Sequence, residues 1–175
     1  MNMLRHIRAI LTLPFTVLCV APALLLLLFY DMDTRWDIAA PAYGVIFLAA
    51  IVLLLTGTAL VVITVYLFCA VGEGTLAPWD PTKKLVVEGP YRYVRNPMIT
   101  GVLTVLSGES IVTGSFLIAA FAAFLFGLNH VYFILSEEPG LVKRFGEPYK
   151  KYMSNVPRWI PRPTPWAAKD NQPDQ

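Results

Sequence analysis

Over residues 41–71 the chain runs without a single charged side chain. About 20 apolar residues suffice to cross the hydrocarbon of a bilayer, so a stretch this long needs lipid or a large apolar core around it. Composition excludes the large core. Of the 175 residues, 56% are hydrophobic and only 15% are charged, too little polar surface for an ordinary soluble domain. The sequence therefore predicts an all-α, polytopic integral membrane protein.

Three further apolar segments give about four transmembrane helices, over residues 10–30, 41–71, 98–111 and 114–135. The second is long enough to tilt or project. The third is short, and is expected as one arm of a tight hairpin turning near Gly108, Glu109 and Ser110. The first follows Arg5, His6 and Arg8 and carries Ala21-Pro22-Ala23, as a cleavable signal would. Its apolar run continues over residues 24–29 to a full span, which favours an uncleaved anchor. A single domain is expected over residues 1–166, with a polar, disordered tail at 167–175.

Basic residues set the orientation, because short cytoplasmic connections carry the excess of lysine and arginine. Arg5 and Arg8 precede the first span; Lys83, Lys84, Arg92 and Arg95 lie between the second and third; Lys143, Arg144, Lys150, Lys151, Arg158 and Arg162 follow the fourth. These segments and both termini are expected in the cytoplasm, at the inner or plasma membrane if the source is bacterial. The 31–37 connection and the turn at Glu109 are acid-biased and would face outward. A net charge of +2 without interleaved bases and aromatics gives no sign of nucleic-acid binding. Cys19 and Cys69 have no CxxC partner and no histidine cluster, so neither a disulfide nor a metal site is expected.

On the cytoplasmic side lies the segment GPYRYVRNP, residues 89–97, answered downstream by Glu137-Glu138. Charge beside hydrocarbon is costly, so arginines and paired carboxylates at span ends point to a site for a polar ligand. Pro97 suits the first position of the third span, where its missing N–H costs nothing. Asn96 then falls at the cap, where its side chain can satisfy orphan amides or leave them to a ligand carboxylate. Arg92 and Arg95 also fit snorkelling to headgroups, and Tyr91 and Tyr93 fit interfacial anchors. Gly72-Glu73-Gly74 is a helix stop or a point of close backbone approach to a ligand.

His130 and Glu137 are seven residues apart and share a face of the fourth helix. His130 is read either as polar packing across helices or as a proton-transfer group. Glu137 and Glu138 repel each other, so a positive partner is expected, either a protein arginine or a cationic ligand. The tail motifs FGEPYKKY and VPRWIP mix bases and aromatics, as an interfacial anchor or a cytosolic helical lid would. Gly101, Gly108 and Gly127 read as helix-packing positions.

In order, GEG, GPYRYVRNP, EEPGLVKRFGEPYKKY and VPRWIP resemble the isoprenylcysteine carboxyl methyltransferase family and its phospholipid N-methyltransferase relatives, over residues 72–161. The resemblance implies S-adenosylmethionine as methyl donor and a lipophilic small-molecule or lipid acceptor arriving from the bilayer. It implies cofactor contacts at Gly72, Gly74, Tyr91, Asn96, Glu137 and Glu138; the candidate catalytic residues are His130, Asn96 and Arg95. Asn96 stands where the family has the histidine of RHP, Ile99 where it has the tyrosine of HPxY, and Phe133 where the eukaryotic carboxyl methyltransferases place a substrate arginine. Asparagine does not titrate, so an ammonium acceptor would lose its proton to His130 or a glutamate, whereas a carboxylate needs no base. Two other readings stand beside this one. A membrane reductase related to the sterol reductases, using NADPH, is disfavoured by chain length. A non-enzymatic four-span assembly partner explains the basic face through lipid attraction but not Glu137-Glu138.

Overall fold

The computed structural model describes residues 11–33, 40–72 and 82–167, and every regular element among them is helical. Helix α1 joins a π-wound segment, Leu11–Val20, to an α-helical one, Ala21–Leu28; Pro14, which has no N–H to give, lies inside the wider turns. Helix α2 is Ala40–Ala70, α3 is Pro97–Thr113 and α4 is Phe116–Tyr132. A π-wound turn, Phe133–Glu137, carries α4 into α5, Glu138–Phe145, and α6 follows at Glu147–Asn155.

Gly44–Ala70 and Phe116–Phe145 are long and apolar enough to cross a membrane, and Pro14–Leu28 and Pro97–Thr113 are shorter apolar helices. Only 17% and 11% of the most apolar windows of the long pair is buried within the protein, so neither is the core helix of a soluble bundle. Helix α2 instead turns Val45, Leu48, Val52, Leu55 and Val62 outward, an apolar surface larger than a soluble monomer tolerates.

Helices α2 and α3 run antiparallel with their backbones nearly touching. A Cβ on Gly57 would stand 2.8 Å from the Gly101 carbonyl oxygen, and one on Gly108 would stand 3.0 Å from that of Ala50. Small residues are what permit such an approach where lipid offers no hydrophobic drive between helices. Gly101 and Gly108 thus serve packing as expected, whereas Gly127 has nothing within 4 Å of its would-be side chain. Around this seam Val61, Val102, Leu106, Ile118 and Ala122 form a core that Val17, Leu18 and Leu26 of α1 complete.

The hairpin between α3 and α4 corrects the expected turn at residues 108–110. Gly108 and Ser110 are buried inside α3, and the reversal comes at Gly114, whose φ of 67° suits glycine. Ser115 then caps α4, its hydroxyl accepting from the Ile118 N–H at 3.2 Å, while the Ser110 hydroxyl donates to the Ser115 carbonyl at 2.9 Å. At this same end Asp33 Oδ1 accepts from the Leu117 N–H at 3.1 Å, so the connection after α1 meets the start of α4. The 82–95 loop and the tail gather at the opposite end.

Candidate functional site

Backbone pairing builds the floor of the site. The Arg95 N–H donates to the Pro157 carbonyl at 2.9 Å, the Arg162 N–H to Tyr93 at 3.0 Å and the Trp166 N–H to Arg92 at 2.9 Å. Arg92 returns a bond from Nε to the Trp166 carbonyl at 2.8 Å, and the Tyr152 hydroxyl donates to the Tyr91 carbonyl at 2.7 Å. Beneath this ladder Tyr149, Tyr152 and Val156 of the α6 region pack with Leu85, Val87, Leu141 and Trp166. Loop and tail, expected on one side, thus pack together, and the tail reaches Glu138 through Arg158.

The two adjacent glutamates have opposite fates. Arg158 grips Glu138 with both ends of its fork, Nε to Oε1 at 2.8 Å and Nη2 to Oε2 at 2.9 Å. Arg95 adds a second guanidinium, Nη1 standing 2.9 Å from Oε1; it is a charge contact, because neither Nη1 nor the buried Nε has an aligned acceptor. Glu138 is thereby neutralised by the protein itself. Glu137 is half-buried, and among the described residues no cation stands within ion-pair distance of it. The expected positive partner is therefore a protein arginine for Glu138, and for Glu137 no protein cation supplies it among the described residues.

Nearby hydroxyls register this field. Burial, then the charges of Tyr152 and Glu137, push the Tyr91 phenol well above its ordinary range. Burial and Glu138 push Tyr149 up to about 12 against the pull of Arg95. Hydrogen bonds to Glu138 push the Arg158 guanidinium above its ordinary range. Tyr91 is buried, its ring edge-on to Phe68 at 5.7 Å, which explains a tyrosine at this point better than interfacial anchoring does.

The chain reaches Glu137 through a wide turn for a reason written in the sequence. Pro139 brings no N–H for the carbonyl four residues earlier and would clash with it in an α-helical register, and the π-wound Phe133–Glu137 turn relieves both problems. Such turns change the angular register, so the spacing of seven between His130 and Glu137 does not by itself fix a common face. His130 accepts, at Nδ1, a hydrogen bond from the Trp159 indole N–H at 2.9 Å. Trp159 packs between Phe126 at 4.9 Å and Phe133 at 5.6 Å.

Asn96 occupies the N-cap position of α3 without capping it by its side chain. Its carbonyl accepts from the Thr100 N–H at 3.1 Å and hydroxyl at 3.0 Å, and its side-chain amide has no partner among the described residues. Gly72 lies two residues beyond α2 and close against the loop: a Cβ there would lie 2.6 Å from Thr82 Cγ2, and its carbonyl accepts from the Lys83 N–H at 2.7 Å. Gly74 lies outside the described residues. Arg158 and Trp159, which hold Glu138 and His130, lie in the VPRWIP motif, whose sequence gives neither an individual site role; the need of the glutamate pair for a cation is the signal pointing to the former.

Among the described residues, the Glu137 carboxylate and the Asn96 side-chain amide are thus left without partners. No cluster of metal-ligating side chains occurs among the described residues. No curated protein matches the chain. The model of one family does, over residues 45–148, taking in most of α2, all of α3 and α4 and both glutamates. The chain belongs to the phospholipid methyltransferase family.

Proposed function

We propose that this protein transfers the methyl group of S-adenosylmethionine to a lipophilic, membrane-resident acceptor, as a relative of the isoprenylcysteine carboxyl methyltransferase branch. The observation that supports this most is Glu137, a half-buried carboxylate without a counter-charge among the described residues, beside one that two arginines satisfy. A sulfonium or α-ammonium complements it. When bound, S-adenosylmethionine supplies an electrophilic methyl carbon whose bond to sulfur breaks, leaving its electron pair on sulfur, as an acceptor lone pair forms the new bond.

The residues then have these tasks. Glu137 supplies the counter-charge, Asn96 offers its free amide to the polar part of the cofactor, and Tyr91 forms the floor. Arg95 and Arg158 hold Glu138, which fixes the tail over the site. The tail excludes water, and methyl transfer depends on such desolvation and alignment more than on a strong base. The outward apolar faces of α2 and α4 belong to lipid in this reading, so the acceptor enters sideways. The four apolar helices all span, residues 1–166 form one domain, and the loop, tail and both termini lie in the cytoplasm.

Calorimetric titration of the detergent-purified protein with S-adenosylhomocysteine, with NADPH as control, tests the reading. Saturable binding of the first alone is expected. Binding of NADPH alone, or of neither ligand, overturns it.

A further inference from the structure

The His130–Trp159 pair has chemistry beyond packing. An indole N–H is a donor only, so the Nδ1 atom it reaches at 2.9 Å must present a lone pair. A neutral imidazole with its lone pair at Nδ1 carries its proton at Nε2. The surroundings preserve this arrangement: Phe126 stacks on the imidazole at 6.0 Å and meets Trp159 at a tilt at 4.9 Å, and Phe133 backs Trp159 at 5.6 Å. Neighbouring Asn129 donates from its side-chain amide to the Leu125 carbonyl at 2.8 Å. Trp159 itself is held in place by its neighbours, since Arg158 is clamped on Glu138 and the Pro157 carbonyl on the Arg95 N–H.

We infer that Trp159 is a positioning residue that fixes His130 as the Nε2–H tautomer, so that His130 acts as a hydrogen-bond donor and not as a proton-accepting base. The inference rests on the methyltransferase reading for its meaning and on geometry for its content. With Nδ1 occupied and Nε2 already protonated, His130 has no lone pair to offer while the tail is seated. Asn96 has no basic atom either. A proton lost by an ammonium acceptor therefore goes to neither of these side chains, and an oxygen-bearing acceptor finds a donor in His130. The tail thus sets what the site can do chemically as well as closing it.

The test is spectroscopic. The full chain is made with 15N-labelled histidine in a His6→Gln background, which leaves His130 as the one histidine, and the ring nitrogens are observed in detergent micelles with and without Trp159→Phe. The expected result is a lone-pair-bearing Nδ1 and a protonated Nε2 in the parent. In Trp159→Phe the tautomer ratio should move by roughly five-fold toward Nδ1–H, the population effect of one ordinary hydrogen bond. A protonated Nδ1 in the parent, or an unchanged ratio in the variant, overturns the inference. Should Trp159→Phe fail to fold, the Trp159 indole proton is read instead in the parent and in His130→Leu. A downfield resonance lost in His130→Leu supports the pairing, and its persistence refutes it. None of these signals requires turnover, so a fixed tautomer in a protein that does not bind S-adenosylhomocysteine would remove the methyltransferase reading and leave the assignment standing.

Discussion

Neutralising each glutamate in turn should separate binding from folding. In Glu138→Gln, the Arg158 fork loses its charged partner and one end of it meets an amide N–H₂ that cannot accept. Arg158, 21% exposed, can swing toward water, but Arg95, only 11% exposed, is left as a buried cation without a counter-ion. Removing one partner of a buried pair costs about 3 kcal/mol or more, which for a chain of this size lowers the melting temperature by roughly 6–12 °C. Glu137→Gln breaks no ion pair and should shift stability by less than about 0.5 kcal/mol. It should instead weaken cofactor binding, because a charge-assisted contact contributes about 1.5–3 kcal/mol, or roughly 10–100-fold in Kd. Thermal unfolding followed by tryptophan fluorescence, with calorimetric titration of S-adenosylmethionine on the same samples, reads both quantities. If Glu137→Gln melts early and binds normally, or Glu138→Gln keeps its melting temperature, the division of labour between the two residues is wrong.

Gly57→Ala should destabilise by about 1–3 kcal/mol through overpacking, since its Cβ would meet the α3 backbone at 2.8 Å; Gly127→Ala, with open space around it, should be neutral or gain up to about 1 kcal/mol, and equal melting temperatures for the two would contradict the close seam. Asn96→His should leave the melting temperature unchanged, because the Asn96 side chain does not cap α3, and should preserve or improve cofactor affinity; a loss of folding would show that position 96 is structural. Tyr149 has a folded pKa raised to about 12 above an ordinary value of about 10, so its contribution is complete below the ordinary value and fades as pH rises through the folded one. The tail should therefore loosen between those limits, seen as tyrosinate absorbance rising together with exposure of Trp166, and a change complete below that window would count against the buried tyrosine cluster.

Apolar run lengths made the helices legible, since a long and mostly apolar stretch has one stable state beside lipid: α3, Pro97–Thr113, falls on the run expected at 98–111 and α4, Phe116–Tyr132, on that at 114–135. The turn was misplaced because glycine has two uses, and a sequence does not say whether Gly108 bends the chain or admits a neighbour; the Ala50 and Leu54 atoms against it decide. Within the site, the glutamate pair announced a cation through like-charge repulsion, yet the arginine that answers lies 20 residues downstream in a tail whose mixture of bases and aromatics reads equally well as a membrane anchor. The His130–Trp159 bond was invisible for a related reason: it joins residues 29 apart across a chain reversal at Gly146, whose φ of 62° lets α6 fold back.

The ladder that fixes residues 157–166 onto Arg92, Tyr93 and Arg95 also orders events during biosynthesis. Ribosomes deliver the apolar helices well before the segment that joins Glu138 to Arg158 and His130 to Trp159. Nascent chains halted before Pro157 would hold inserted helices with Glu138 lacking one of its two arginines and His130 lacking its indole. Formation of the helices and completion of the site are then separate steps, and the second waits for residues 157–166 to be made and to fold back.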